Sequence, residues 1–337
     1  MKKVLIYSLA VVVILNLCSC SKQLNDASKP DSGNAISFAN PATKADLGDI
    51  QDGGFSVWAI INNSTYENYP LMDNRHVEYN DGKWVYSPLG YWMSNTVFNF
   101  VATYPYSADG TYYKLASDNS AVILTVDETP SEVDFLMATK MIDTSDNSFD
   151  GTQAVNLDFQ HMLTSVVLQI WIDGGKHQND QMRITNVTLG NIRKSGTYSS
   201  SSATKKWTPG NERVTIEYVN ENLSDTDNIG AVIINDNGSV ATKAIPAIPF
   251  GTIMLIPQTL DPNMVSLKIQ YQLKRQNAAD WEEAELETFL PAATWESNRR
   301  YTYNVVLSSV TDITIYYIQT KVDPWGTPQV GGTVVIK

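Results

Sequence analysis

From residue 55 to the C-terminus, short apolar segments alternate with turn residues, which cut each segment off before a helical period is established. A period of two sends alternate side chains to opposite faces of a strand. In "NTVFNFVATYPY", Val97, Asn99 and Val101 fall on one face and Phe98, Phe100 and Ala102 on the other. Pro105 ends that strand because it cannot donate to a ladder. In "VEYNDGKWVY", Asp81-Gly82 separates two alternating runs. This dipeptide suits a type I′ hairpin turn, which needs positive φ at both central residues. Further strands are expected at 121–126, 154–159, 165–172, 184–192, 213–219, 231–235, 251–258, 265–273, 301–307, 313–319 and 332–337. Helix is limited to a turn or two, so the chain reads as all-β, of the sandwich or barrel class.

A length of 337 residues favours two domains over one. The polar, turn-rich "DTSDNSFDGTQ" (143–153) is the best candidate boundary, giving domains at 36–150 and 151–337. The polar stretch 195–207 has alternation on both sides and is expected to be a surface hairpin loop. No internal repeat is evident.

The N-terminus has a different character. Lys2 and Lys3 precede an apolar run from Val4 to Leu17, and "LCSC" ends at Cys20. This is the pattern of an export signal over residues 1–19, too short for a comfortable membrane span. The junction resembles the bacterial lipoprotein box, with acylation at Cys20; Leu17 before Cys18 is not small, so Cys18 fits less well. These two cysteines are the only ones in the chain, leaving the mature domains no disulfide, thiolate ligand or Cys nucleophile. Residues 20–35 are polar and aperiodic, as a flexible tether would be. The formal charge of −12 becomes −14 without Lys2 and Lys3. Such a balance argues against nucleic acid or an anionic membrane surface as partner.

Little in the chain carries chemistry. No HExxH, nucleophile elbow, Walker loop or GxGxxG occurs, and His76, His161 and His177 are scattered. His161 follows Leu157 and Phe159 at strand spacing, which suggests a core-edge histidine bonded to backbone. "DNSFDG" (146–151) lacks the alternating acids and distal Glu of a calcium loop and is expected to be a solvated linker. Glu282-Glu283 reads as a charged loop rather than an acid–base pair. The eight Trp and seventeen Tyr raise stacking on sugar rings, but many, such as Tyr301 and Tyr303, fall at alternating strand positions where packing explains them. Neither an enzyme nor a cofactor or metal site is expected.

Several segments together resemble the fimbrillin family of Bacteroidales, the subunits of type V pili. They are "ISFANPATKA" near the mature start, "YWMSNTVFNFVATYP" (91–105), "VDFLMATKMI" (133–142) leading to "VNLDFQHMLTSVVLQI" (155–170), "MLIPQTL" (254–260) and "WESNRRYTYNVVL" (295–307). The resemblance implies two transthyretin-like β-sandwich domains of about seven strands each. It also implies export as an outer membrane lipoprotein, held to the membrane by its lipid and displayed at the cell surface or in a fimbrium. In such proteins a trypsin-like protease cuts after a basic residue, the first strand leaves, and an extended segment of another fimbrillin subunit fills the groove. By position, Ile36 and Phe38 would be the removable plug, and Lys44-Ala45 the processing site, with Lys where Arg is usual. Residues 323–337 would be either a donor strand or an ordinary closing strand. A structural or adhesive pilus subunit with a host or glycan ligand is therefore expected. The competing reading is a monomeric surface lipoprotein that binds glycans through β-sandwich domains.

Overall fold

The computed structural model describes residues 34–39, 42–43, 47–173, 181–201, 205–217, 231–234, 240–243, 248–309, 312–321 and 334–335. In chain order, the elements of the first part are β1 (Ala42–Thr43), α1 (Leu47–Gly53), β2 (Phe55–Asn62), β3 (Tyr69–Asn80), β4 (Lys83–Val85), β5 (Val97–Tyr104), β6 (Tyr113–Leu115), β7 (Val122–Val126), β8 (Leu136–Asp143) and β9 (Asp158–His161). They are followed by β10 (Thr164–Asp173), β11 (Gln181–Arg193), β12 (Gly196–Ser199), β13 (Trp207–Pro209), β14 (Arg213–Glu217), β15 (Ala231–Ile234), β16 (Val240–Lys243) and β17 (Ile248–Leu255). The last are β18 (Gln258–Leu260), β19 (Ser266–Lys274), β20 (Glu282–Phe289), β21 (Ala293–Trp295), β22 (Arg299–Ser309), β23 (Asp312–Lys321) and β24 (Val334–Val335). The protein is all-β, built from open sheets.

The first sheet runs β1-β9-β8-β5-β2-β3-β4. Its central strands are buried on both faces. Val57, Phe98, Phe100, Ala102 and Ala138 enter one core, while Trp58, Val101 and Met137 enter another on the opposite face. A strand covered on both sides has no solvent-facing positions to fill with polar residues, which is why β2 reads "FSVWAIIN" rather than as a clean alternation. The hairpin between β3 and β4 turns at Asp81 and Gly82 with φ of 49° and 81°, as the Asp-Gly pair requires. The short helix α1 is followed by Gly54, whose φ of +67° and close approach to Val77 O leave no room for a Cβ.

A further core lies between two later sheets, one ordered β16-β15-β10-β22-β23-β24 with β17 also on β10, the other β14-β11-β19-β20. The long parallel pairing of β10 with β22 sets Thr164 against Arg299 and Ile172 against Leu307.

The remaining four-stranded sheet, β13-β12-β7-β6, joins segments far apart in the chain. Gly196–Ser199 pairs antiparallel with Val126–Ile123. Residues 195–207, expected as a surface loop, therefore supply a paired strand; the run of Ser hides it because its neighbours are polar. The core beneath this sheet combines Trp58, Val122, Leu124 and Phe135 with Met162, Leu163 and Ile256. Strand β9 and the bridge at Val155 carry the first sheet past residue 150.

Glu282-Glu283, expected in a loop, opens strand β20 at the edge of its sheet. Leu286 is buried while Glu283, Glu285 and Glu287 face outward. On that outer face Gln272 donates to Glu283, and Lys268 lies 2.9 Å from Glu285. The Glu-rich outer face masks the period of two and blunts an exposed edge.

The pairing of β7 with the segment at 196–200 rests partly on one hydroxyl, because the buried Val122 N–H donates to Ser200 Oγ at 2.8 Å. Ser200→Ala leaves that N–H without its acceptor and is expected to cost about 1–3 kcal/mol. Urea unfolding measures the loss, and hydrogen exchange should show faster exchange over 122–126.

Candidate functional site: the N-terminal segment and its slot

Residues 34–39 run between two pieces of backbone that do not pair with each other at this point. On one side Ile36 N donates to Gly90 O at 2.9 Å, Trp92 N donates to Asn34 O at 3.3 Å, and Ala35 bridges Tyr91 antiparallel. On the other side Val155 N donates to Ser37 O at 2.8 Å and Ala39 N donates to Val155 O at 3.0 Å, with Phe38 in parallel register with Val155. The chain continues into β1, which pairs parallel with Asp158 and Phe159 of β9. The segment thus satisfies main-chain groups on both flanks.

Its side chains follow the strand period. Ile36 and Phe38 are 1% and 6% exposed and belong to the core of the first sheet. Phe38 meets Phe55, Tyr86 and Phe100 edge-on, with ring centroids 5.9, 5.5 and 6.3 Å apart. Such geometry suits the aromatic quadrupole. Tyr86 closes the slot from above: its hydroxyl donates to Ile36 O at 2.7 Å and accepts from Gly90 N at 3.3 Å. Burial pushes the Tyr86 phenol above its ordinary value. Gly90 allows this approach, because a Cβ there would stand 2.3 Å from Met72 Cε and 3.6 Å from Ile36 Cδ1.

Burial is what sequence reasoning expected of Ile36 and Phe38. It missed Tyr86, Gly90 and Val155, since contacts 50 or more residues away leave no local pattern. Cys20, Lys44 and Ala45 lie outside the described residues. Of residues 323–337 only Val334 and Val335 are described, paired with Tyr317 and Tyr316.

The other candidates resolve into structural roles. His161 is buried, but its Nδ1 lies 2.8 Å from the Asp134 carboxylate rather than on a backbone partner. Strand spacing could not reveal a side-chain partner on the preceding loop. Asp146 and Asp150 each accept the N–H and hydroxyl of the residue two positions on, at 2.8 to 3.0 Å, and so close turns. Tyr301 and Tyr303 are buried; Trp295 Nε1 donates to Tyr303 Oη at 2.9 Å.

The sequence pattern of the fimbrillin-like family matches residues 43–325. The chain belongs to the fimbrillin-like family. Among solved structures, this fimbrillin-like chain is similar to a fimbrial protein from Bacteroides vulgatus, with a TM-score of 0.63 and 17% identity over 85% of this chain and 99% of that one. A "putative cell adhesion protein" from Bacteroides uniformis is similar at a TM-score of 0.46 and 15% identity, over 85% of this chain and 98% of that one. Another so described, from Bacteroides ovatus, has a TM-score of 0.46 and 15% identity over 88% and 98%. No curated protein matches. At 17% identity the likeness to the Bacteroides vulgatus protein speaks to the fold alone.

Phe38→Ala is expected to destabilise the intact fimbrillin-like chain by about 3–5 kcal/mol, as loss of a buried aromatic does. Tyr86→Phe should cost about 1–3 kcal/mol, since it removes the donor to Ile36 O. Urea unfolding separates both from wild type. The turn carboxyls make a pH prediction. Hydrogen bonds hold Asp143 below its ordinary 3.8, led by the Ser145 hydroxyl. Asp146 and Asp150 are also lowered, led by the N–H groups of Ser148 and Thr152. A depressed carboxyl stabilises its turn fully above its unfolded value and ceases to do so as pH falls through the folded one. Carboxyl NMR titration should find all three midpoints below 3.8.

Proposed function

We propose that the protein is a structural or adhesive subunit of a type V pilus that assembles by exchanging its N-terminal strand. The observation that carries the proposal is the segment 34–39, hydrogen-bonded on both flanks while Ile36 and Phe38 fill the core. In this reading Cys20 is acylated on export to the outer membrane, and the chain forms two β-sandwich domains, with Val155 and β9 counted in the first rather than divided from it at residue 150. A trypsin-like protease then cuts between Lys44 and Ala45. The cut frees the plug, and an extended segment of another subunit replaces it.

The physics of exchange supports this order. Vacating the slot exposes Gly90 O together with the N–H and O of Val155, beside the faces of Phe55 and Phe100. An incoming strand satisfies the main-chain groups and covers the apolar faces in one step. Burial of an Ile and a Phe contributes about 1.5–3 kcal/mol each. A covalently attached plug competes at very high effective concentration, so an outside strand displaces it only after the bond is cut.

Limited trypsin treatment of the full chain tests the proposal. The expected product begins at Ala45 by N-terminal sequencing and forms concentration-dependent oligomers on gel filtration, whereas Lys44→Gln remains uncut there and monomeric. A product that begins at Ala45 but keeps the plug and stays monomeric would refute strand exchange.

A further inference from the structure

The hairpin strands β12 and β13 and the paired strands β18 and β21 border an open cleft of about 520 Å³. That size lies within the range of small-molecule sites. Trp207 and Tyr198 line it with rings 5.9 Å apart. Trp207 is half-buried, and its indole N–H donates to Met162 O at 3.0 Å and to Ser297 Oγ at 2.9 Å. The ring is thus held in place without help from a ligand: one part of it packs, with Tyr198, against the core of Trp58 and Leu124, and the rest borders the cleft.

Positive charge gathers at the same place. Lys205, Lys206 and Arg299 line the cleft in a chain whose net charge is −12. Lys205 Nζ donates to the neutral Thr139 hydroxyl at 2.9 Å. Among the described residues neither Lys205 nor Lys206 has a carboxylate within ion-pair distance. Glu296, also at the cleft, lies 3.7 Å from Arg299. Thr259 and Thr294, opposite each other across β18 and β21, add exposed hydroxyls.

We infer that this cleft binds an acidic sugar, a pyranose bearing carboxylate or sulfate. The fixed indole offers an apolar face to the ring, the threonines offer hydroxyl partners, and the lysines attract the anionic group. An added peptide strand fits less well. The outer edge of β13 ends in Pro209, which has no N–H to give, so recognition falls to side chains. The inference is independent of strand exchange, because the cleft is complete in the uncut chain.

Isothermal titration calorimetry of the full uncut chain tests it, with oligogalacturonate as the carboxylated probe, a heparin oligosaccharide as the sulfated one and a neutral galactose oligomer of equal length. At least one acidic probe should bind at least about tenfold more tightly than the neutral oligomer, and more weakly as salt rises. Lys205→Ala combined with Lys206→Ala alters two exposed side chains and should weaken that binding by at least about tenfold. Equal affinity for the neutral oligomer, no binding of either acidic probe, or unchanged affinity in the double variant would each overturn the inference.

Discussion

Burial of the first sheet on both faces is the constraint from which the rest of the molecule follows. Strands β2, β5 and β8 send Val57, Phe100 and Ala138 to one side and Trp58, Val101 and Met137 to the other. Neither set can reach water, so a one-residue slip would place each side chain in a core shaped for its neighbour. On the first side lies the slot for Ile36 and Phe38. On the second lies the core shared with Met162, Leu163 and Ile256, roofed by β7 and β12. The N-terminal segment and the junction between distant chain segments are thus built on opposite faces of one scaffold.

That arrangement makes the slot a structural requirement rather than a decoration. A core without a disulfide must draw its stability from packing and main-chain pairing. Withdrawing residues 34–39 removes both at once, because the hydrogen bonds to Gly90 and Val155 run along the same segment that carries the two apolar side chains. Water could solvate the freed backbone groups but not the faces of Phe55 and Phe100. The apolar surface therefore sets the cost of an empty slot, and the two open edges determine that a strand, rather than a loose hydrophobic side chain, is the right shape to fill it.

The legible parts of this fold were those encoded locally. The Asp81-Gly82 turn, the two faces of β5 and its end before Pro105 follow from positive φ, period two and a missing donor. The strand β20 and the pairing of β12 were obscured because Glu283, Glu285 and Glu287 flank the one buried residue Leu286 in the first, and Thr197 and Ser199 alternate with Gly196 and Tyr198 within a polar stretch in the second. For the slot, Ile36 and Phe38 were named by position from the family resemblance, whereas Tyr86 and Gly90 were not named at all. Their roles come from a contact that closes only after the chain has folded back over 50 residues. His161 shows the same limit: its burial was readable from spacing, its carboxylate partner was not.

The pairing geometry also bears on what else could occupy the slot. The resident segment runs antiparallel to Tyr91 and parallel to Val155. A strand entering in the opposite direction would exchange these relations, and both kinds of ladder are stable, so hydrogen bonding alone selects direction only weakly. Side chains discriminate more strongly. Period two fixes two inward positions separated by one outward residue, and the aromatic contacts around Phe38 call for a large ring at one of them. At the other, Ile36 Cδ1 and Met72 together fill the room left by the missing Cβ of Gly90, which calls for a branched aliphatic chain. A register slip by one residue would set a residue like Ser37 against Phe55 and Phe100, losing the burial that makes occupancy favourable. For a strand that took the place of residues 34–39, selectivity would therefore reside in the order of two apolar side chains, with the backbone supplying affinity common to every strand.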